Sequence, residues 1–301
     1  MELYVNFNLP KEAEEELGRY YKIVKGGDLS GVEVAFVYRL SPEELKKMPK
    51  LKFIQVVLAG LDHLPWEHIP PHVVVAGNAG SNADAVTEFA LGLLLASYKR
   101  IIHYSEKMRR GDYDKNLEVP LLQGKKVAVL GLGEIGIRVA RLLAALGAEV
   151  WGFARTPREG PWRFTSSLEE ALRGAKAAVC ALPLTRRTRG LIRYEHLALM
   201  AEDGVFVNVG RAEVVDREGA LRIVKERPRF IFASDVWWGR NDFAKDAEFF
   251  SLPNVVATPW VAGGYGSEEV WRKMVMDAVK NLVAYATGGP VRNIARRDDY
   301  L

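Results

Sequence analysis

The chain has 301 residues, of which 49% are hydrophobic and 27% charged, and its net charge is +4. This composition is typical of a globular protein long enough for two domains, and so small a charge excess indicates neither a nucleic-acid partner nor a membrane surface. No apolar run approaches the length of a membrane span, and the first residues lack a signal-peptide pattern, so we expect a cytoplasmic protein. The charge-rich composition with a single cysteine also fits a thermophile.

The N-terminal part alternates short apolar runs with helical patterns, which predicts a small parallel α/β layer. The predicted strands are Leu3–Phe7, Val34–Val37, Ile54–Val57 and Val73–Val75. Helices are predicted over Lys11–Leu17 and Pro42–Met48, and one long helix over Ala85–Arg110. A last amphipathic helix, Ser267–Thr287, is expected to pack back on this part of the chain, which makes the first domain discontinuous.

A second alternating series begins at Lys126 and predicts six strands joined by helices. The strands are expected near 126–130, 149–153, 177–182, 204–208, 230–234 and 255–257, and the helices near 134–146, 167–173, 195–200 and 216–226. The one cysteine, Cys180, lies within an apolar strand of this series and is predicted to be a core residue. We predict a dinucleotide-binding domain over residues 99–269 and a substrate domain over 1–98 with 270–301.

The most informative motif is Gly131-Leu-Gly-Glu-Ile-Gly136, which lies between a predicted strand and a predicted helix. In that setting Gly131 permits a tight turn, Gly133 lets a pyrophosphate approach the backbone, and Gly136 lets the helix pack on the strand. Glu134 and Ile135 complete the loop. The start of the helix then faces the phosphates, so the motif predicts a bound dinucleotide.

The residues after the second strand of this series predict which dinucleotide is bound. NAD enzymes usually place a carboxylate there to bind the ribose 2′-hydroxyl, but Ala154 occupies the position in this chain. Arg155 can pair with a 2′-phosphate through its planar guanidinium, and Thr156 can add a hydrogen bond. The sequence therefore favours NADP(H), with NAD(H) as the alternative, and no metal site is expected.

Arg211 is the strongest substrate-binding candidate, because it follows a predicted strand whose carboxyl end borders the ligand crevice of such a sheet. An arginine there can bind a carboxylate and polarise an adjacent carbonyl. Asn78 and Asn82 are open to two interpretations, as polar pocket residues or as turn-forming asparagines.

The order of these motifs resembles the D-2-hydroxyacid dehydrogenase family over nearly the whole chain. The matching segments are Ala59-Gly-Leu-Asp62, Asn78–Glu88, Gly131–Gly136, Leu182-Pro-Leu-Thr185 with Thr188, Asn208-Val-Gly-Arg211, Asp235-Val-Trp237, Thr258-Pro259 and Ala262-Gly263. The resemblance implies two doubly wound parallel-sheet α/β domains, one Rossmann-type for the cofactor and one smaller and flavodoxin-like for the substrate, with a cleft between them. It also implies a homodimer.

The resemblance further implies hydride transfer between a nicotinamide and the carbon that bears a 2-hydroxyl or 2-oxo group. The residues that match the family's substrate-binding positions are Ala59, Gly60, Leu61, Asn78 and Arg211. The glycine loop, Arg155 and Thr156 match its cofactor-binding positions. Four further residues do so as well: Pro183, Thr188, Val209 and Asp235.

The sequence departs from the family at the acid–base pair. Trp260 occupies the position of the family histidine after Thr258-Pro259, and Arg240 falls where an acidic residue is expected. An indole can donate a hydrogen bond but cannot exchange a proton near neutral pH. His63 and Tyr265 are candidate substitutes for the missing acid, with a surface histidine and a rim tyrosine as the alternative interpretations.

Three functions are compatible with these features. The first is an NADP(H)-dependent oxidoreductase of a small 2-hydroxy or 2-oxo acid, with Arg211, Arg240 and Trp260 at the catalytic positions. The second is a formate dehydrogenase-like enzyme, because formate oxidation releases a hydride and leaves CO₂ without a proton to transfer. The third is a non-catalytic NADP(H)-binding or regulatory protein, which the loss of the acid–base pair favours and the presence of Arg211 disfavours.

Overall fold

In the described part of the chain the strands form two parallel β-sheets, which confirms the α/β fold class. The structure is a computed structural model that describes residues 1–113, 119–240, 242–264 and 266–301. The chain divides into two compact units, the first made of 1–83 with 264–301 and the second of 84–263. Within the described residues, no helix combines the length and apolar character needed to cross a membrane.

The first unit is built around a five-stranded sheet of order β2-β1-β3-β4-β5, the flavodoxin-like arrangement. Its strands are β1 (Glu2–Val5), β2 (Lys22–Val24), β3 (Val32–Val37), β4 (Phe53–Val56) and β5 (Val74–Ala76). Its helices are α1 (Lys11–Gly18), α2 (Pro42–Lys46) and α10 (Glu268–Ala286), with short 3-10 turns at Trp66–His68 and Arg297–Asp299. Helix α10 packs on the face of the sheet that includes Leu3 and Phe36, through Met274, Val275 and Leu282.

The second unit contains a seven-stranded sheet of order β12-β11-β10-β9-β6-β7-β8. Its strands are β6 (Lys126–Leu130), β7 (Glu149–Phe153), β8 (Arg163–Thr165), β9 (Ala177–Cys180), β10 (Val205–Asn208), β11 (Ile231–Ser234) and β12 (Val255–Ala257). Its helices are α3 (Ala83–Tyr98, whose first residue belongs to the first unit), α4 (Ile101–Arg109), α5 (Glu134–Ala145), α6 (Leu168–Leu172), α7 (Tyr194–Ala198), α8 (Arg217–Glu226) and α9 (Ala247–Phe250). Two 3-10 turns, Ala212–Val214 and Phe243–Asp246, complete it.

Side chains along the central strands of the second unit point alternately to the two faces of the sheet, so the core of this unit is divided between those faces. In β9, Ala177 and Val179 face one apolar cluster, whereas Ala178 and Cys180 face the other. Helices cover both faces, so the strands are buried on both sides and appear in the sequence as continuous apolar runs. Cys180 is fully buried, which confirms its prediction as a core residue.

Three sequence predictions about secondary structure are wrong. The first sheet has a fifth strand, β2 (Lys22–Val24), where four strands were predicted. The long helix expected over Ala85–Arg110 is two helices, because Arg100 adopts a left-handed backbone conformation with φ of 54° between α3 and α4. No glycine or proline marks that break in the sequence. The second sheet has a seventh strand, β8, at its edge; its three residues include Arg163 and carry too little apolar pattern to be predicted.

The burial of Cys180 leads to a prediction about its reactivity. Burial raises the pKa of this thiol to about 12, so almost no thiolate forms at pH values near 8, and the sulfur is also shielded from reagents. We expect the native protein to react negligibly with a chromogenic disulfide reagent, whereas the same protein unfolded in guanidinium chloride should react with one equivalent. Rapid labelling of the native protein would contradict this placement.

Candidate functional site

The glycine loop after β6 has the shape needed to hold a pyrophosphate. Gly131 has a φ of +100°, and a Cβ at Gly136 would lie 1.7 Å from the Gly131 carbonyl oxygen, so the helix approaches the strand closely only because both are glycines. A Cβ at Gly133 would meet no atom within 4 Å, so this part of the loop borders open space. No side chain caps the start of α5, which leaves its N–H groups directed at that space. The loop therefore fits a dinucleotide phosphate.

The other predicted cofactor residues lie at the carboxyl ends of neighbouring strands. Because β11, β10, β9, β6 and β7 are adjacent and parallel in the sheet, the segments that follow them meet at one edge. These segments contain Asp235, Val209, Pro183 with Thr188, the Gly131–Gly136 loop with Glu134 and Ile135, and Arg155 with Thr156.

Side chains and backbone amides fix two of these segments. The Thr188 hydroxyl donates to the Pro183 carbonyl at 2.6 Å and accepts from the Thr185 N–H at 2.8 Å, which closes the turn after β9. The Val209 N–H donates to the Cys180 carbonyl at 3.0 Å and continues the pairing of β10 with β9. Arg155 and Thr156, by contrast, are exposed where β7 ends, and the Ala154 N–H donates to the Thr165 carbonyl.

Asp235 is buried at the end of β11 and organises the segment that contains Trp260. One carboxylate oxygen accepts from the Thr258 hydroxyl at 2.6 Å and from the Val261 N–H at 3.0 Å, and the other accepts from the Ala262 N–H at 2.8 Å. The Asp235 backbone carbonyl accepts from the Trp260 N–H at 2.9 Å. The side chain predicted to bind cofactor therefore holds the 258–262 segment in place.

Trp260 lies in this segment with a φ of 59°, a left-handed conformation that is rare for a bulky side chain. Such conformations persist only where the surrounding structure imposes them, and they cluster at functional sites. The Arg211 guanidinium carbon lies 5.8 Å from the centroid of the Trp260 ring, within the range of a cation–π contact. Its Nη1 donates to the Gly210 carbonyl at 3.0 Å. Among the described residues the Trp260 indole N–H has no hydrogen-bond acceptor.

Arg240, which the sequence resemblance aligns with the family acid, forms an ion pair with Glu213. Its Nε and Nη2 both lie 2.8 Å from Oε1 of Glu213, and its backbone φ is 47°. The other oxygen, Oε2, is buried and has no hydrogen-bond partner in the described part of the chain. The turn before Arg240 is held by Asp246, whose carboxylate accepts from the Gly239 N–H at 2.7 Å and lies 3.6 Å from Arg217.

The two tryptophans that precede this turn are core residues. Trp238 stacks on Phe249 with ring centroids 5.1 Å apart and donates to the Val215 carbonyl at 3.1 Å. Trp237 is fully buried and donates to the Thr258 carbonyl at 3.0 Å. Trp238 therefore packs against the core of the second unit.

The substrate-binding candidates of the first unit fall into two groups. Among the described residues, the N–H groups of Ala59, Gly60 and Leu61, in the loop after β4, donate no hydrogen bond. Three successive N–H groups without acceptors suit a carboxylate. The Asn78 amide instead donates to the carbonyls of Val57 and Met274 at 2.9 and 2.8 Å, which gives it a structural role.

The candidate replacement acids differ in what the structure shows of them. His63 lies with Nε2 3.1 Å from the Tyr38 carbonyl oxygen, in the first unit. Tyr265 lies outside the described residues. Glu213 and Asp246 were not identified as site residues from the sequence, because each acts on a residue more than five positions away. Thr258 was identified only as part of the Thr258-Pro259 segment, because its partner Asp235 lies 23 positions away.

Comparison with known proteins identifies the family. Residues 91–262 match the model described as "D-isomer specific 2-hydroxyacid dehydrogenase, NAD binding domain". A crystal structure from Pyrobaculum aerophilum, provisionally designated a formate dehydrogenase, is 78% identical, covers 100% of both chains and superposes with a TM-score of 0.98. The glyoxylate reductase of Pyrococcus horikoshii is 27% identical over 91% of this chain and 85% of its own length. The glycerate dehydrogenase of Methylorubrum extorquens is 27% identical over 94% and 92%. The resemblance seen in the sequence is confirmed, and the chain belongs to the D-isomer specific 2-hydroxyacid dehydrogenase family.

Proposed function

We propose that this protein is an NADP(H)-dependent oxidoreductase that transfers a hydride to or from a small 2-oxo or 2-hydroxy carboxylic acid. The observation that carries the proposal is the position of Arg211. It follows β10, two strands from the β6 glycine loop that fits a dinucleotide phosphate, and its guanidinium lies against Trp260. When bound, the cofactor supplies or accepts the hydride.

The residues of the chain bind and orient the acid in this proposal. Arg211 pairs with the substrate carboxylate and polarises the carbon–oxygen bond next to it. Trp260 fixes one face of the guanidinium, which restricts the directions in which it donates. Within the first unit, the N–H groups of Ala59, Gly60 and Leu61 form a separate turn that suits an anion.

Two of the relatives support this substrate class. The proteins of Pyrococcus horikoshii and Methylorubrum extorquens are named glyoxylate reductase and glycerate dehydrogenase, and each aligns over at least 91% of this chain. Their substrates, as those names give them, are small acids with an oxygen on the carbon beside the carboxylate. Arg211 provides the complementary charge for such acids.

Formate oxidation is a second candidate, favoured by one specific observation. The Pyrobaculum aerophilum protein that is 78% identical to this chain carries a provisional formate dehydrogenase designation. Formate gives up a hydride and becomes CO₂, so the reaction proceeds without a protein proton donor. Trp260 and Arg240, which replace the family's acid–base pair, are compatible with that chemistry.

A substrate panel tests the two candidates together. We expect NADPH oxidation with glyoxylate or hydroxypyruvate, and the converse assay follows NADP⁺ reduction with formate. Replacing Arg211→Gln should lower kcat/KM by about 10²-fold or more, because a charged donor to the reacting acid is lost, while NADPH affinity stays unchanged. Arg222→Gln, an exposed arginine of α8 paired with Glu226, is the matched control. Tight NADPH binding without any turnover would instead favour the non-catalytic alternative.

The preference for NADP(H) is tested at Arg155. A charge-assisted hydrogen bond to a phosphate contributes about 1.5–3 kcal/mol, so Arg155→Gln should weaken NADPH binding by about 10- to 100-fold. NADH binding, measured by the same fluorescence titration, should change little because it lacks the 2′-phosphate. Arg163→Gln on β8, whose guanidinium packs over Trp151, is the control. Tighter binding of NADH than NADPH by the unmodified protein would contradict the preference.

We also propose a homodimer, which the family resemblance implies. The exposed apolar side chains of α4 support it, because Ile101 is 56% and Met108 61% exposed in a single chain. Light scattering should then give roughly twice the chain mass of 33.6 kDa. Met108→Glu should shift the mass towards that of one chain, whereas Leu142→Glu, at an exposed apolar site of α5, should not. A monomer at micromolar concentration would refute the assembly.

A further inference from the structure

The substitutions at the acid–base positions reverse the charge that the site offers to the reacting group. An imidazolium stabilises a developing alkoxide and hands it a proton. The face of an indole carries the negative part of the ring quadrupole, so Trp260 attracts cations, as its contact with the Arg211 guanidinium at 5.8 Å shows. A ring of this kind stabilises a positively charged group and supplies no proton.

The Arg240–Glu213 pair also makes the site more compatible with a positively charged reacting group. Both nitrogen atoms of Arg240 that contact Glu213 lie 2.8 Å from Oε1, so the guanidinium charge is neutralised. Oε2 of Glu213 is left buried without a hydrogen-bond donor in the described residues. A buried carboxylate oxygen without a donor is costly, and its negative charge lies beside the guanidinium of Arg240.

We propose that the enzyme reduces 2-iminium acids, the protonated C=N compounds that form when a 2-oxo acid condenses with ammonia or a primary amine. The inference rests on the proposed function, since it uses Arg211 to hold the carboxylate and the nucleotide as hydride source. Compared with the proposed function, only the group on the reacting carbon differs: C=NH₂⁺ takes the place of C=O. A 2-iminium acid pairs its carboxylate with Arg211 and presents its cationic C=NH₂⁺ group to the Trp260 face.

The step balances without a protein acid. The 2-oxo acid and ammonia lose water in solution to give R–C(=NH₂⁺)–COO⁻. A hydride from NADPH then forms a C–H bond at the iminium carbon while the C=N π electrons become the nitrogen lone pair. The products are the neutral amino acid R–CH(NH₂)–COO⁻ and NADP⁺, and water protonates the amine after release. Reduction of the corresponding C=O group would require a proton on oxygen, which neither Trp260 nor Arg240 supplies.

The test compares each 2-oxo acid with and without ammonia. NADPH oxidation is followed with glyoxylate and pyruvate at mildly alkaline pH, in ammonium chloride or in sodium chloride of equal ionic strength, and the products are identified by mass spectrometry. General acid catalysis is worth about 10²–10⁴ in rate, so we expect ammonia to raise the rate at least about 100-fold. The product should be the amino acid, or the N-methyl amino acid when methylamine replaces ammonia.

A substitution at Trp260 gives a second, independent readout. Trp260→His restores a titratable donor, so it should increase formation of the 2-hydroxy acid and lower formation of the amino acid. The regained activity should fall as pH rises through the imidazole pKa, near 6.5 in unperturbed histidine, because only the protonated ring donates. Trp151→His, at a partly buried tryptophan of β7 that packs against Lys126, is the matched control and should leave the product ratio unchanged.

Each outcome decides the proposal. Ammonia-dependent amino acid formation that shifts to hydroxy acid in Trp260→His supports it. Hydroxy acid formed at the same rate with and without ammonia overturns it while leaving the proposed function intact. Turnover of formate alone overturns it in favour of formate oxidation. NADPH binding with no turnover of any compound overturns it together with the proposed function.

Discussion

The carboxylate of Asp235 is the group on which the placement of the 258–262 segment depends. It is buried at the end of β11 and accepts hydrogen bonds from Thr258, Val261 and Ala262. Burying a carboxylate costs free energy unless such donors surround it, so these hydrogen bonds hold the 258–262 segment in place. They impose the left-handed backbone of Trp260 and thereby decide which face of the indole meets Arg211.

Parallel strand order explains why residues far apart in the chain serve one purpose. The segments after β7, β6, β9, β10 and β11 are separated by helices in the sequence, yet adjacent strands bring their carboxyl ends to one edge of the sheet. The glycine loop, the Thr188 turn, Arg211 and Asp235 are therefore neighbours along that edge. The two apolar clusters that cover the sheet keep this edge rigid, because each central strand contributes side chains to both faces.

The loss of the family's acid–base pair is accompanied by structural adjustment at both positions. Trp260 and Arg240 each adopt a positive φ, and each is held by contacts from elsewhere in the second unit. Arg240 is paired with Glu213, and the turn that carries it is bonded to Asp246. Strained backbone conformations cost free energy and persist only where the surrounding structure imposes them. Two of them would not be expected at positions that had lost their function. Under the proposed function, this arrangement suits hydride transfer that is separate from proton transfer.

The sequence by itself determined the fold class, the glycine loop, the position of Arg211 and the replacement of the acid–base pair. These are readable because strand and helix periodicity and a glycine fingerprint are local properties of the chain. The structural roles of Asn78, Asp235 and Trp238 were decided only by tertiary structure, as was the pairing of Arg240 with Glu213. Each of these roles depends on the hydrogen-bond partner or aromatic ring that contacts the side chain. The order of the strands brings that partner near, although it is distant in the sequence. The break between α3 and α4 is of the same kind, because the left-handed conformation of Arg100 follows from packing and has no residue-type signal.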